Sequence, residues 1–226
     1  MAAVALIGPD GAGKTTITRM LQRSGTIPVK YLYMGVDIPA SNVALPTSRW
    51  LERLKSRAGR TDVPGAVAPS SGARRRGGVR DLARLANRLA EEWFRQVVSW
   101  IHQLRGFVVL YDRHFVYDFA PEICGPDEPF DRRIHRWCLL HLYPQPDMVI
   151  FLDAPGALLF ERKRESTVEE LERRRQGFLT LGARMQQFVR VDATRPLPEV
   201  HAEVAAHIAS LWNKRQRADV VLEIGK

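Results

Sequence analysis

The stretch AAVALIGPDGAGKTTITRMLQ, residues 2–22, decides the fold. Its first six residues are all apolar, which is typical of a strand buried on both faces. A glycine-rich turn follows at once, and residues 14–22 then have the composition of a helix. A strand joined to a helix by a short turn is the opening of a βαβ unit, so we expect a parallel sheet.

The rest of the chain repeats this alternation of strands and helices. Further strands are predicted at residues 29–33, 107–111, 148–152 and 189–191, with an additional C-terminal strand at 220–224. Helices are predicted at 50–55, 79–104, 130–142, 156–165, 168–188 with a break near Gly177, and 199–216. We therefore expect one three-layer α/β/α domain over residues 1–226, with a five-stranded parallel sheet and right-handed crossovers.

Two segments depart from this regular pattern. In residues 79–104, apolar side chains recur every three or four positions, which predicts a long helix whose stripe packs in the core: Leu82, Leu85, Leu89, Trp93, Val97, Ile101 and Leu104. Residues 36–78 are instead rich in Pro, Gly, Ser and Arg, which is typical of a mobile insertion. The run Arg74-Arg75-Arg76 within it is either solvated or part of a closing arm.

Composition excludes several classes of protein. The 226 residues carry 34 Lys and Arg against 25 Asp and Glu, a net charge of +9 that suits either nucleic acid or a phosphate-handling site. The arginines are spread over many predicted helices without an aromatic platform, which disfavours nucleic acid. No apolar run is long enough to span a membrane, and the N-terminus lacks the features of a secretory signal. With only Cys124 and Cys138, we expect reduced thiols and a cytoplasmic location.

The turn after the first strand has the pattern G-x-x-x-x-G-K-[ST], directly between a strand and a helix. Glycines allow successive backbone N–H groups to turn toward a phosphate, and the helix N-terminus adds its dipole. A lysine reaches the β- and γ-phosphates, and a hydroxyl ligates Mg²⁺. The pattern predicts a bound nucleoside triphosphate and Mg²⁺, held by Gly8, Asp10, Gly11, Ala12, Gly13, Lys14, Thr15 and Thr16.

Further motifs follow this loop in a fixed order. The sequence GPDGAGKTT resembles the phosphate loop of the thymidylate kinase-like family of P-loop nucleoside and nucleotide kinases. Downstream segments are similar to other elements of that family: Tyr111-Asp112-Arg113-His114, Pro146-Asp147 before residues 149–153, the charged segments 161–165 and 169–178, and Val191-Asp192-Ala193. The resemblance covers almost the whole chain except residues 36–78. It implies an ATP-dependent phosphotransferase with a nucleotide-kinase fold.

The resemblance also suggests roles for individual residues. Asp112 is expected to hold the Mg²⁺ shell or take the acceptor's proton, and Arg113 to clamp an anionic acceptor; a pair that caps the next element is the alternative. Asp10 would contact the acceptor's sugar hydroxyl. Residues 156–187 are expected to form a lid. Arg162 and Arg174 are chosen to neutralise the transferring phosphoryl group from five candidates in it: Arg162, Arg164, Arg173, Arg174 and Arg175. Asp192 and Ala193 would approach the adenine, and Asp153 has either a catalytic or a structural role.

The sequence leaves open which molecule accepts the phosphoryl group. The first strand ends in Ile7, where thymidylate kinases usually have an acidic residue, and residues 36–78 replace the family's nucleobase-binding stretch. A nucleotide, a nucleoside or another small molecule is therefore expected as the partner, and a homodimer is an open alternative to a monomer. A nucleotide-dependent ATPase or switch protein without kinase activity is the rival function.

Overall fold

The computed structural model describes residues 2–35, 42–43, 45, 79–118, 130–164 and 166–224. Within them lie five strands: β1 Ala2–Ile7, β2 Val29–Tyr33, β3 Val108–Asp112, β4 Met148–Asp153 and β5 Phe188–Asp192. They form one all-parallel sheet with the order β2-β3-β1-β4-β5. The predicted five-stranded parallel sheet is confirmed.

Helices cover both faces of this sheet. They are α1 Lys14–Ser24, α2 Val79–Leu104, α3 Phe115–Asp118, α4 Phe130–Leu142, α5 Gly156–Arg162, α6 Val168–Gly182 and α7 Leu197–Ile224. Helices α1 and α7 pack against each other on one face, whereas α2 packs on β1, β2 and β3 and contacts α4. The arrangement is a three-layer α/β/α architecture, as predicted.

Strand β1 shows why two helical layers are needed. Its alternate residues Ala2, Val4 and Leu6 belong to one hydrophobic cluster, which also contains side chains of α1 and α7. Ala3, Ala5 and Ile7 belong to a second cluster, with side chains of β3 and α3. Because successive side chains of a strand point to opposite faces, an entirely apolar strand requires cover on both sides.

The order of the strands in the sheet reverses beside β1. From β1 the chain passes to β2 at one edge of the sheet, whereas the later strands β4 and β5 lie on the other side of β1. In open α/β sheets, ligands bind outside the carboxyl ends of the strands where the connections diverge in this way. The turn after Ile7 and the β3 residue Asp112 both lie at the carboxyl ends of their strands. Leu6 is paired with Asp112 in the register.

The prediction that the apolar stripe of α2 lies in the core is wrong. Leu82 and Leu104 are 67 % and 69 % exposed, Trp93, Val97 and Ile101 are also exposed, and Leu85 and Leu89 are half-buried. The buried face of the helix is polar and consists of Glu91, Glu92, Arg95, Gln96, Ser99 and Gln103. This orientation is tolerated because distant parts of the fold supply hydrogen-bond partners for four of these residues: Glu91, Glu92, Arg95 and Ser99.

Two further expectations about the C-terminal half need correction. Residues 220–224 do not form an additional strand but continue helix α7, since no Gly or Pro interrupts the chain after Pro198 and before Gly225. Helix α6 runs through Gly177 without a break and ends at Gly182, and Phe188 begins β5. Position 182 has room only for glycine, because a Cβ there would lie 2.3 Å from the Phe188 ring.

Several sequence-based expectations lie outside the described residues. They concern most of residues 36–78, including the helix at 50–55 and the Arg74–Arg76 run, together with Cys124. Cys138 is a free, half-buried thiol. Over the described ranges, none of the helices combines the length and the apolar character needed to cross a membrane.

Candidate functional site

The turn between β1 and α1 packs tightly against the neighbouring elements. Gly8 and Gly11 have φ angles of 150° and 88°, which side-chain-bearing residues rarely adopt. A Cβ at Gly8 would lie 2.9 Å from the carbonyl oxygen of Leu152, and one at Gly11 would lie 2.7 Å from that of Leu159. The turn therefore requires glycine for close approach to the end of β4 and to α5.

The turn leads into the N-terminus of α1. Gly13 is the N-cap residue, and no side chain caps the helix. The first N–H groups of a helix have no partner within the helix, and the dipole gives this end a partial positive charge. The backbone here is therefore suited to an anion such as a phosphate group.

Lys14 is folded back onto the turn that precedes it. Its side-chain ammonium donates hydrogen bonds to the carbonyl oxygens of Gly8, over 2.7 Å, and of Pro9, over 2.8 Å. The residue is only 6 % exposed, so its charge lies inside the loop. The sequence predicted that Lys14 binds phosphate, and the structure adds that the same ammonium stabilises the loop.

The side chains of Thr15 in α1 and Tyr31 in β2 meet at Asp112, the last residue of β3. The Thr15 hydroxyl donates to Asp112 Oδ2 over 3.0 Å, and the Tyr31 hydroxyl donates to the same oxygen over 3.3 Å. Asp112 is buried, whereas Thr15 and its neighbour Thr16 are exposed. Burial and the Asp112 carboxylate raise the pKa of Tyr31, so its hydroxyl stays protonated as the donor. The site thus combines a hydroxyl and a carboxylate, which are oxygen ligands suited to Mg²⁺.

A cluster of positively charged side chains surrounds Asp10, which lies in the turn. The Arg113 guanidinium forms an ion pair with Asp10 Oδ1, and Arg174 from α6 lies 3.7 Å from Oδ2. Burial raises the pKa of Asp10, but nearby positive charges outweigh it and lower the pKa below its ordinary value of 3.8: Arg113, Lys14, Lys163 and Arg174. Asp10 is therefore a carboxylate at neutral pH, set between two arginines.

Arg162 and Asp192 lie apart from this group. The Arg162 guanidinium donates to the carbonyl oxygen of Ala193 over 3.0 Å, which ties α5 to the segment after β5. The Asp192 carboxylate accepts hydrogen bonds from the Thr194 hydroxyl and N–H, and these lower its pKa. The structure places the predicted residues Arg162, Asp192 and Ala193 together, but contacts between them and the Asp10 cluster are not among those described.

Asp153, at the end of β4, is held by contacts with arginine side chains from two neighbouring elements. Arg175 donates to both of its carboxylate oxygens, over 2.6 and 3.1 Å, and Arg190 contacts Oδ2 at 2.6 Å. Arg175 also donates to Glu172, which accepts a hydrogen bond from the Gly156 N–H at the start of α5. This chain of contacts fixes α6 against β4, so Arg175 anchors the helix on which Arg174 approaches Asp10.

Sequence reasoning missed two residues of the site. Tyr31 was assigned only to strand β2, and nothing local indicates that its hydroxyl reaches the end of β3. Lys163 contributes positive charge at Asp10, and its only signal was its position in a charged segment. The site residues that were predicted come together at one edge of the sheet: the turn 8–13, Lys14, Thr15, Asp112, Arg113 and Arg174.

A further set of charged groups is buried behind β2. Arg95 forms a buried ion pair with Glu91 at 3.0 Å and donates to the carbonyl oxygen of Gly35 over 2.8 Å. Glu91 also accepts a hydrogen bond from the Leu45 N–H. These contacts fix α2 beside the residues that follow β2. The sequence contained a weak signal, because Glu91 and Arg95 are spaced to pair on one helix face.

Comparison with known proteins gives no family. No protein-family model matches the chain, and no curated protein matches it either. In the described part of the chain, His, Cys, Asp and Glu form no group of three or more that could hold a metal ion. A Mg²⁺ site bound through few protein ligands remains compatible with the residues present, since Mg²⁺ usually keeps several waters and binds substrate phosphates.

Proposed function

We propose that the chain is an ATP- and Mg²⁺-dependent phosphotransferase with a P-loop fold of the nucleotide-kinase type. It would transfer the γ-phosphoryl group of ATP to a nucleotide, a nucleoside or another small acceptor. One observation carries this proposal: the glycine-built turn holds the Lys14 ammonium, and the next residue, Thr15, contacts Asp112 at the carboxyl end of β3. The motif resemblance to thymidylate kinase-like enzymes supports it.

The turn and Lys14 would bind the phosphates of ATP. Backbone N–H groups of the turn and the start of α1 would donate to phosphate oxygens. Lys14 would exchange its bonds to the Gly8 and Pro9 carbonyls for bonds to the β- and γ-phosphates. Because its ammonium is already held beside the turn, little further ordering of the side chain is required.

Thr15 and Asp112 fit the role of magnesium ligands. Thr15 offers an oxygen atom in the first turn of α1 and Asp112 offers one at the end of β3, and the two already approach within 3.0 Å. When bound, Mg²⁺ would offset negative charge on the phosphates during transfer. The Tyr31 hydroxyl would keep the Asp112 side chain in place from the β2 side. Asp112 alternatively accepts the proton of the acceptor hydroxyl.

Asp10, Arg113 and Arg174 would face the acceptor. The ionised Asp10 carboxylate accepts hydrogen bonds only, which suits a hydroxyl group of the acceptor. Arg113 and Arg174 would then offer their guanidinium groups to the transferring phosphoryl group or to an anionic acceptor. Their ion pairs with Asp10 keep both arginines at the mouth of the site before substrates arrive.

Steady-state ADP release from purified protein tests the proposal. The protein is incubated with ATP, Mg²⁺ and a panel of nucleosides and nucleoside monophosphates. We expect one class of acceptor to stimulate ADP release, with a phosphorylated product detected by mass spectrometry. The variant Lys14→Ala should lose this activity, whereas Lys214→Ala, on the exposed surface of α7, should retain it. Circular dichroism checks that both variants fold.

Two results would overturn the proposal. If calorimetry detects no binding of Mg²⁺ and any purine triphosphate, the turn is not a nucleotide site. If ATP binds but no acceptor stimulates ADP release or is phosphorylated, the protein is a nucleotide-binding ATPase or switch and not a small-molecule kinase.

A further inference from the structure

We propose that Arg95, buried on α2, is a positioning residue for Arg113: through Gly35 it sets where the Arg113 guanidinium lies beside Asp10. The inference deepens the proposed function, and its effect on catalysis rests on that function. Arg95 is only 1 % exposed and therefore offers almost no surface to a substrate. It can act on the site only through the residues that it holds.

Arg113 has an unusual backbone conformation. Its φ angle is 64°, and among the described residues it is the only one other than glycine with a positive φ. Its N–H donates to the Leu6 carbonyl oxygen over 3.2 Å, and its guanidinium forms the ion pair with Asp10. A left-handed backbone is unfavourable for a residue with a Cβ, so it persists only where surrounding contacts hold it. The direction of the Arg113 side chain therefore depends on its neighbours.

Gly35 is one of these neighbours. A Cβ at Gly35 would lie 3.0 Å from Cδ of Arg113 and 2.5 Å from the Tyr33 hydroxyl oxygen. Gly35 thus lies directly against the Arg113 side chain, and a single methyl group there would displace this side chain or the Tyr33 ring. The preceding residue is tied to the same strand end, since the Met34 N–H donates to the Asp112 carbonyl oxygen over 3.1 Å.

Arg95 holds Gly35 in this place from the α2 side. Its Nη1 donates to the Gly35 carbonyl oxygen over 2.8 Å, and its Nε and Nη2 each lie 3.0 Å from Glu91 Oε1. Glu91 in turn accepts a hydrogen bond from the Leu45 N–H over 2.9 Å. Because a guanidinium is planar with donors in fixed directions, one orientation of Arg95 serves both Glu91 and Gly35. A continuous path of contacts therefore runs from α2 to Arg113.

The alternative is that Arg95 only stabilises α2. Ser99, one turn later on the same buried side of the helix, separates the two roles. It is 0 % exposed, and its hydroxyl lies 2.7 Å from that of Tyr111, so Ser99→Ala removes a buried hydrogen bond from α2. The contacts described for Ser99 do not include Gly35 or Arg113. Ser99→Ala is therefore the matched control.

Two variants test the inference through kinetics. Arg95→Lys keeps the positive charge beside Glu91, but one ammonium cannot replace the planar group that bridges Glu91 and Gly35. Gly35→Ala leaves Arg95 in place and adds a methyl group against Arg113. ATP is kept saturating, and the nucleosides and nucleoside monophosphates of the panel are varied one at a time. Each variant should lower kcat/KM for the acceptor on the order of 100-fold, the effect of misplacing a group by about 1 Å. The KM for ATP should not change, and Ser99→Ala should change neither constant.

Nitrogen NMR of the arginine side chains gives a second readout that needs no substrate. In the wild type, the ion pair with Asp10 should slow rotation of the Arg113 guanidinium about its Nε–Cζ bond. Its two Nη nitrogens should then give separate signals, which Arg113→Lys assigns by their loss. In Arg95→Lys and Gly35→Ala these signals should merge, as they should in Asp10→Asn. Ser99→Ala should retain them.

The two readouts distinguish failure of the inference from failure of the proposed function. If the Nη signals stay separate in both Arg95→Lys and Gly35→Ala, Arg95 does not position Arg113 and the inference is overturned. An unchanged kcat/KM for the acceptor in these variants also overturns it, as does an effect of Ser99→Ala equal to that of Arg95→Lys. If the signals merge as expected but the wild type phosphorylates no nucleoside or nucleoside monophosphate, the proposed function fails and the link from Arg95 to Arg113 stands.

Discussion

The Thr15 hydroxyl donates a hydrogen bond to Asp112 Oδ2 over 3.0 Å and so joins the first turn of α1 to the end of β3, although the two residues are 97 positions apart. The parallel sheet is responsible for this contact. Strands β1 and β3 are adjacent, Leu6 is paired with Asp112, and both strands end at the same edge. The helix that follows β1 therefore begins beside the last residue of β3.

A double-mutant cycle on this pair tests whether the two residues share a magnesium ion. We expect Thr15→Val and Asp112→Asn each to raise the Mg²⁺ concentration needed for half-maximal turnover. Loss of a residue that only supports a metal ligand typically costs about 10–100-fold in metal affinity or activity, so each loss should be at least that large. Because both act on one ion, the double variant should lose much less than the product of the single effects.

Tyr31→Phe is the matched variant for this cycle, since it removes the other hydroxyl bonded to Asp112 Oδ2 but leaves both expected ligands in place. It should weaken turnover less than either ligand variant. Fully multiplicative effects of Thr15→Val and Asp112→Asn, with an unchanged Mg²⁺ dependence, would contradict a shared ion.

Arg162 and Arg174, both in the segment expected to form a lid, should differ in their kinetic effects. Arg174 lies 3.7 Å from Asp10, so Arg174→Ala should lower kcat. Arg162 instead donates to the Ala193 carbonyl, in the segment expected near adenine. Arg162→Ala should therefore raise the KM for ATP and change kcat much less. Steady-state kinetics with ATP and the acceptor varied in turn separates the two effects.

Arg173→Ala provides the control, because the Arg173 side chain is 56 % exposed and lies 4.0 Å from Glu170 on the same helix. It should have near-normal kinetics. If Arg162→Ala lowers kcat as strongly as Arg174→Ala does, Arg162 leaves the Ala193 carbonyl during the reaction and reaches the transferring phosphate.

Local sequence was sufficient for most of the fold and for the centre of the site. Apolar runs predicted β1, β3 and β4, and the glycine spacing predicted the turn 8–13 with its following helix. The meeting of Thr15 and Asp112 also follows from sequence, since residues after parallel strands gather at one edge. These features depend on short segments and on one topological rule.

The remaining features depend on contacts between distant segments. The periodicity of α2 identified an apolar stripe correctly, but periodicity does not say whether that stripe faces the core of the same chain. The buried polar side is stabilised by Gly35, Tyr111 and His135, which no pattern within α2 specifies. Arg174, which was chosen among the arginines of this segment, does lie beside Asp10, but no local pattern indicates that its neighbour Arg175 anchors α6 at Asp153.

Asp153→Asn should destabilise the protein in a pH-dependent way. Burial raises the pKa of Asp153, but hydrogen bonds from Arg175 and Arg190 outweigh it and lower the pKa below 3.8. The ionised carboxylate therefore stabilises the fold above that value, and this contribution is lost as pH falls through the lowered pKa. At pH 7 we expect a loss of about 1.5–3 kcal/mol, the range for hydrogen bonds to a charged group.

Urea unfolding from neutral pH to below pH 4 measures this effect. The difference between the wild type and Asp153→Asn should be constant near neutrality and become smaller in acid, where the wild type loses its carboxylate as well. Glu161→Gln, on the exposed surface of α5, should follow the wild type throughout. A difference that grows in acid would mean that Asp153 is stabilised in its protonated form.

His114 should make the free energy of unfolding depend on pH at higher pH values than Asp153 does. Its ring is fully buried, and among the described residues neither ring nitrogen has a hydrogen-bond partner. The surrounding groups are aromatic, with Tyr111, Tyr117 and Tyr143 at centroid distances of 5.3, 5.2 and 5.7 Å. Burial lowers the pKa of His114 from 6.5 to about 3, so the ring is neutral in the folded protein.

The unfolded chain binds a proton at this histidine below pH 6.5, whereas the folded protein does not until about pH 3. Wild-type stability should therefore fall between these values, by up to about 1.4 kcal/mol per pH unit. His114→Phe keeps an aromatic ring but cannot bind a proton, so its stability should exceed that of the wild type by an increasing margin from pH 7 to pH 5. Urea midpoints at each pH measure the margin.

His141→Gln distinguishes burial from the general effect of removing a histidine, because His141 lies on the exposed side of α4. It should show no comparable gain in acid. If the margin between His114→Phe and the wild type is the same at pH 7 and pH 5, the folded protein protonates His114 as readily as the unfolded chain does. The ring would then have to reach water or an acceptor, and its enclosure by Tyr111, Tyr117 and Tyr143 would open in solution.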